Sequence, residues 1–506
     1  MALASVSRKT MPKIGMVSLG CPKNLVDSEV MLGVLARGGY ELTPRAEDAD
    51  VIVVNTCGFI EPAKRESIDT ILEMAEHKKS GSARRLVVAG CLVERYRQEI
   101  LKEIPEVDFV IGTNELERVL EACAFDGTAR ESTASIEPYL YHDFTPRVLS
   151  TPSYSAYIKI AEGCDHPCSF CVIPQMRGKF RSRRFASVVR EAQNLVLQGV
   201  REITLIGQDT TSYGEDLGLR DGLATLLREL GKISELVWLR FLYCYPNRLT
   251  DALVAAIAET PKVCKYVDIP LQHASGPVLK LMRRGSNGDQ FLKTLEKIRR
   301  AIPGISIRTS FIVGFPGETE DDFRALMEFV KAAEFDHLGV FLYSNEETSA
   351  SYSLPNQVAT AVARRRQRSV LALQRKISRR KLRQKVGLAY PVLVEGRSEE
   401  TELLFTGRLE SQAPEIDGRV LINDFVGDEP SPGEFRWATV TGADDYDLVA
   451  RLEAQEFSPR MNSASRLGGM RSVPTTGRVA PGPQFIQIQS VDQRTAIATG
   501  HAVPHL

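Results

Sequence analysis

The chain has 506 residues, 43% of them hydrophobic, which is too long for one core and sets an expectation of two or three globular domains. Lys plus Arg number 64 and Asp plus Glu 64, so the whole molecule exerts no long-range pull on nucleic acid or acidic membrane. No apolar run of about 18 residues and no secretory-type leader is found, which argues against a membrane protein and predicts a cytoplasmic one. In a reducing compartment the nine cysteines favour metal ligation or chemistry over disulfides, and an odd count suits pairing poorly.

In chain order, apolar runs at 14–20, 51–56 and 85–90 are separated by helical-looking stretches, the pattern of a βαβαβ unit with a parallel sheet. Cys21, Cys57 and Cys91 each follow one of these runs. Parallel strands put their C-terminal ends on one sheet edge, where open α/β folds bind ligands, so three sequence-distant thiols are predicted to converge. Buried core cysteines are the plainer alternative for one such residue; three in register favour a metal or cluster with an open coordination position. Cys123 lies in a helical context and is expected to be structural.

From residue 154 strands and helices alternate, with strands over 154–160, 202–206, 236–242, 265–269, 305–313 and 338–342. Helices are expected over 187–198, 223–230, 250–259, 289–301 and 319–333. Six strands, five followed by helices, predict a parallel barrel or part-barrel whose site lies at the strand C-termini. The loop after the first strand carries Cys164, Cys168 and Cys171 in the spacing CxxxCxxC. A loop this short can hold three thiolates around one cluster; a structural zinc site would need a fourth local ligand, and His166, which could serve, reads rather as a loop residue between Cys164 and Cys168.

CxxxCxxC after a barrel strand resembles the radical S-adenosylmethionine (SAM) enzymes. That resemblance implies a 4Fe-4S cluster on Cys164, Cys168 and Cys171 whose free iron chelates SAM, and reductive cleavage of SAM to methionine and a 5′-deoxyadenosyl radical. Segments 206–213 and 311–319 resemble the edges that cradle SAM, with Gly207, Gln208 and Ser310 as candidate contacts. Arg177, Lys179 and Gln272 are further candidates at the mouth.

The leading segments 19–29, 53–59 and 88–92, joined to that loop, resemble the methylthiotransferases, in which Cys21, Cys57 and Cys91 would hold a second 4Fe-4S cluster. One SAM would then donate methyl and another generate the radical. Segments 157–165, 176–183, 242–246 and 268–275 are similar to the branch that modifies an aspartate of small-subunit ribosomal protein twelve rather than an adenosine of transfer RNA. A non-catalytic iron-sulfur electron carrier is the alternative from another class.

Five short strands between 391 and 452 resemble the small, oligonucleotide-fold-like β-barrel called TRAM. Residues 391–450 hold fourteen acidic and four basic side chains, a net of −10 that repels phosphate and suits a basic protein partner. Residues 361–385 hold eleven basic side chains and no acidic one, on a connecting helix that is either a solvated face or a contact with ribosomal RNA or the acidic domain. The expected domains are thus 12–125, 150–385 and 386–453 in an α/β protein, with a disordered tail over 455–506. The resemblance further implies a flavodoxin-like or ferredoxin-like electron donor and a monomer.

Overall fold

Five parallel strands form the first sheet, in the order β2-β1-β3-β4-β5: β1 (Lys13–Ser18), β2 (Glu41–Leu42), β3 (Val51–Thr56), β4 (Arg85–Gly90) and β5 (Phe109–Ile111). Residues 11–125, 130–131 and 138–457 are described by a computed structural model and fall into two units. The first runs to Ser150 and includes Gln175–Gly178; the second comprises Thr151–Pro174 and the chain from Lys179.

Alternation along the strands of the first unit sends side chains to both faces. Met16, Val53 and Val87 pack under α1 (Pro22–Arg37), with Leu32 and Leu35, while Val17, Val54 and Val88 meet α2 (Glu61–Ser80) and α3 (Cys91–Glu103) through Ile71, Met74 and Ile100. The result is the expected three-layer parallel-sheet unit, with two edge strands, β2 and β5, beyond the three expected from sequence. Cys123 is fully buried in the core on the α1 face.

The second unit opens with β6 (Ser155–Lys159), followed by the short antiparallel pair β7 (Ala161–Glu162) and β8 (Arg181–Ser182). β9 (Glu202–Ile206) and β10 (Trp238–Phe241) join β6 in one parallel sheet; β11 (Tyr266–Asp268), β12 (Ser306–Val313) and β13 (His337–Leu342) form another. A parallel bridge between Leu239 and Val263 links the two, giving a partial (β/α) barrel. Its helices, Phe185–Leu197, Gly222–Leu230, Asp251–Glu259, Gly288–Ala301 and Glu320–Ala333, match the expected ones within two residues; Gly276–Leu281 is additional. Thr319 caps the Glu320–Ala333 helix with a full capping box to Asp322.

A closed five-stranded barrel follows, β14 (Ala389–Arg397), β15 (Phe405–Leu409), β16 (Val420–Phe425), β17 (Phe435–Ala443) and β18 (Leu448–Glu456), in the order β14-β15-β16-β18-β17. Val392, Val394, Ile422, Val440 and Leu448 are among the residues that fill it. The end of β15 and the segment after it reach the N-terminal ends of the central strands: Arg408 pairs with Glu202 at 2.6 Å and Asp417 with Arg308 at 2.8 Å, all four buried. β18 extends to Glu456, past the end of the sequence periodicity; the tail expected beyond it lies outside the described residues apart from its first three. No described helix is long and apolar enough to cross a membrane.

Candidate functional site

In the first unit the three strand-end cysteines sit in loops that glycines allow to crowd together. A Cβ on Gly20, whose φ is +89°, would lie 3.3 Å from the Cys57 sulfur; one on Gly58 would lie 2.8 Å from the Cys91 carbonyl oxygen. Cys21 is the N-cap of α1 and Cys91 the first residue of α3, so both thiols stand at helix N-termini. Burial pushes the Cys91 thiol up to about 11, and Arg177 opposes that rise. Cys57 is raised further, by burial first and then by repulsion from Cys91 and Cys21, a cost that a cationic centre among the three would offset.

Around the thiols lies a fixed polar frame. The Asn24 side chain donates to Leu19 O at 3.0 Å and Thr56 O at 2.9 Å, tying together two of the three cysteine loops. Arg177 is 3% exposed; it donates to the Cys91 sulfur at 3.3 Å, to Asp27 at 2.6 Å and to the Asn24 oxygen. Arg177, expected from the sequence at the barrel mouth, lies in the first unit against Cys91. No local pattern around residue 177 carries that signal.

In the second unit Cys164, Cys168 and Cys171 line a cavity of about 500 Å³, counting space open to solvent. His166 between them does not complete a ligand set. Its ring stacks on Tyr245 at 3.6 Å and 7°, and its Nε2 lies 2.6 Å from Asp209. Burial works against the Asp209 charge, but hydrogen bonds from His166, Ser212 and Thr211 prevail and hold its carboxyl below the usual range. Arg284 stands 3.5 Å from the Cys168 sulfur and over the Tyr245 ring at 4.4 Å. Burial raises Cys164 to about 12 and Cys171 higher, with neighbouring thiols adding to both.

Two non-glycine residues on the cavity wall, Tyr243 and Gln272, hold left-handed backbone, φ 66° and 71°. Such conformations cluster at ligand sites because the surrounding fold has to enforce them. Both amide atoms of Gln272, the Gln208 oxygen and the Ser310 hydroxyl are buried with no hydrogen-bond partner among the described residues. Buried polar groups are rarely left so, and four such atoms in this neighbourhood suit a polar ligand of cofactor size. Gln208 is otherwise held by Glu162 at 2.6 Å, which also receives Lys159 at 2.5 Å. Gly207 and Ser310 do not line the cavity, and Lys179 is exposed.

All nine cysteines are free thiols. Among the described residues no three His, Cys, Asp or Glu side chains are set to hold a single metal ion. The residues of the second-unit cavity suit a thiolate-held cluster with SAM beside it: three soft donors in one short loop, and unpartnered amide atoms of Gln208 and Gln272 among the lining side chains.

Residues 13–112 match the uncharacterized protein family UPF0004, 158–330 the radical SAM superfamily and 386–452 the TRAM domain. The ribosomal protein uS12 methylthiotransferase RimO of Solibacter usitatus is 61% identical over 444 residues, 87% of this chain and 95% of its own. The chain belongs to the RimO family. RimO proteins of Koribacter versatilis and Geobacter sulfurreducens are 56% and 48% identical, each over 87% of this chain and at least 96% of their own. RimO membership and the radical SAM match together imply SAM and a 4Fe-4S cluster as cofactors. A solved structure of TsrM, a radical SAM methyltransferase from Kitasatospora setae with cobalamin and a 4Fe-4S cluster bound, shares the fold: TM-score 0.51, 16% identity, over 68% of this chain and 74% of its own.

Proposed function

We propose that this protein is a cytoplasmic radical SAM methylthiotransferase that adds a methylthio group to the β-carbon of an aspartate in small-subunit ribosomal protein uS12. The observation that carries the reading is the pairing of two thiol triads in one chain: Cys164, Cys168 and Cys171 near the unpartnered Gln272 amide, Gln208 oxygen and Ser310 hydroxyl, and Cys21, Cys57 and Cys91 on a sheet edge. The relatives' names supply the target.

In this reading Cys164, Cys168 and Cys171 hold one 4Fe-4S cluster and Cys21, Cys57 and Cys91 a second. Bound there, the groups supply a radical able to take hydrogen from an unactivated carbon, and the sulfur and methyl that replace it. The protein's own residues position and exclude. Asp209 and Tyr245 fix the cluster loop through His166. Gln272, Gln208 and Ser310 offer the SAM contacts, and Gly207 leaves room beside Gln208. Arg177 stabilises thiolate at Cys91 through its charge. Phe170, Ile312 and Phe315 make a dry wall behind Cys168 and Cys171, which keeps water from a reactive centre. An external one-electron donor of flavodoxin or ferredoxin type completes the reaction, and the chain acts as a monomer.

Transfer RNA as target is the less favoured reading, because the acidic C-terminal barrel repels phosphate. Mass spectrometry of uS12 and of bulk transfer RNA from a deletion strain decides: loss of the methylthio mark on uS12 alone is expected, and loss on transfer RNA alone would sink the assignment. Anaerobic reconstitution is expected to give about eight irons per chain, falling to about four when Cys21, Cys57 and Cys91 are replaced by Ala.

A further inference from the structure

The helix Thr360–Arg383 buries one face and leaves a strongly basic one in water. On the buried side Gln367 donates to Val340 O at 2.8 Å and Gln374 to Phe335 O at 2.9 Å. The helix therefore runs beside β13 from its C-terminal end toward its N-terminal end, away from the cysteine cavity at the strand C-termini. On the exposed side several cations are partly answered: Arg375 and Arg379 share Asp445, Arg380 meets Glu334 at 2.6 Å, and Arg365 meets Glu320 at 3.5 Å. Arg364, Arg368, Lys376 and Arg383 are exposed, and their side chains make no ion pair or hydrogen bond among the described residues. At 3.6 residues per turn these four fall within about a third of the helix circumference and span about 28 Å. Toward its end the same face forms a shallow groove that includes Arg375, Lys376, Arg379, Arg380 and Arg383.

A face kept merely soluble mixes signs; this one carries eight exposed cations against three carboxylates. We propose that this stripe binds the phosphate backbone of ribosomal RNA, so that the protein docks on the small ribosomal subunit or its RNA-bound precursor while the acidic barrel faces protein. The proposal rests on uS12 as target, since a ribosomal protein presents its side chains amid RNA. A linear stripe of this length matches successive phosphates, and guanidinium groups pair with phosphate bidentately. An acidic electron-carrier protein suits the stripe less well, because it has to approach the cysteine cavity and the stripe leads away from it.

The test uses the reconstituted full chain and two probes, purified small ribosomal subunits and protein-free small-subunit RNA, with binding measured by anisotropy across a potassium chloride series. The variant replaces Arg364, Arg368, Lys376 and Arg383 by Gln. Losing four phosphate contacts should make the log affinity against log salt plot shallower by about three and weaken binding at about 0.1 M salt tenfold or more. Methylthiolation of free uS12 should be unchanged. Equal slopes for variant and parent would overturn the proposal, as would a variant that loses affinity for flavodoxin while its RNA binding stays intact. If the parent modifies uS12 neither free nor in the small subunit, the target reading fails instead, and the RNA slopes still report on the stripe. Should the fourfold variant lose iron or thermal stability, single Lys376→Gln and Arg383→Gln variants each carry an expected slope change of about 0.8.

Discussion

Gly90 is the most constrained of the glycines beside the sheet-edge cysteines. Its φ of 96° and ψ of −156° belong to a region that only glycine occupies readily, and a Cβ there would lie 2.3 Å from the Asn55 side-chain oxygen and 2.6 Å from Thr56 O. Gly90→Ala should therefore destabilise the chain by on the order of 3 kcal/mol, read as a fall in the urea midpoint. Gly207→Ala is the contrast, since a Cβ there meets nothing closer than 3.5 Å; stability should hold, and any loss of SAM affinity then reports the ligand and not the fold. Gln272 gives the opposite signature to a structural residue. Both its amide atoms are buried without partners, so Gln272→Ala should leave stability unchanged or raise it by about 1 kcal/mol while weakening SAM binding at least tenfold by equilibrium dialysis. A destabilised Gln272→Ala with normal SAM affinity would remove it from the site. Little of this was legible beforehand: Gln272 was only one of three mouth candidates, and left-handed backbone at a glutamine or tyrosine leaves no trace in residue type.

Between elements, the segment that follows β15 works as a floor for the central barrel. Asp417 accepts from the Tyr266 hydroxyl at 2.8 Å and from Arg308 at 2.8 Å and lies 3.2 Å from His337, so it serves β11, β12 and β13 at once. Arg308 continues to Asp268 at 3.6 Å, and Asp268 accepts from the backbone of Tyr243 on the cavity wall at 3.1 Å. Removing one member leaves buried charge unanswered, so Asp417→Ala should cost about 3–5 kcal/mol. A double-mutant cycle with Arg308→Met should recover much of that loss, because both charges are then gone. Burial alone would raise the Asp417 carboxyl, but His337 and Arg308 hold it below the usual range. A depressed folded value stabilises above the unfolded value of about 4 and is lost as pH falls through the folded one, so Asp417→Asn should flatten the acid limb of the stability curve below about pH 4. The central strands themselves were readable as apolar runs, since parallel strands are covered on both faces. The charges at their starts, Glu202, Arg240 and Arg308, broke that pattern, and their partners on the distant segment 408–417 could not be found by periodicity. β2 and β5 escaped because two or three residues are too short to show a period.

For the whole molecule, the order of modules was legible from the spacing of the cysteine-bearing strands, but the dependence of one module on another was not. An oligonucleotide-like barrel at the end of a chain reads as an appended binding module, free to be removed. Here it is part of the central barrel's construction. Arg408 is shared between Glu202 and Glu395, Arg240 donates to Glu410 O at 2.9 Å, the Tyr154 hydroxyl donates to Glu395 O at 3.2 Å, and Trp238 packs edge-on against Phe435 at 4.8 Å. Every central strand or its leading residue therefore meets the terminal barrel, directly or through these charges. Cutting the chain after Gly387 would leave Arg308 without Asp417 and Glu202 without its main cation, at sites taken from interior to surface along with Trp238. The truncated chain should lose the protease resistance of the central barrel and the iron of the cluster proposed on Cys164, Cys168 and Cys171, whereas a module tethered only by its linker would leave both intact. Limited proteolysis followed by mass mapping distinguishes the two, and in the full chain both barrels should open together in one urea transition, because the buried pairs that join them make separate unfolding cost several kcal/mol.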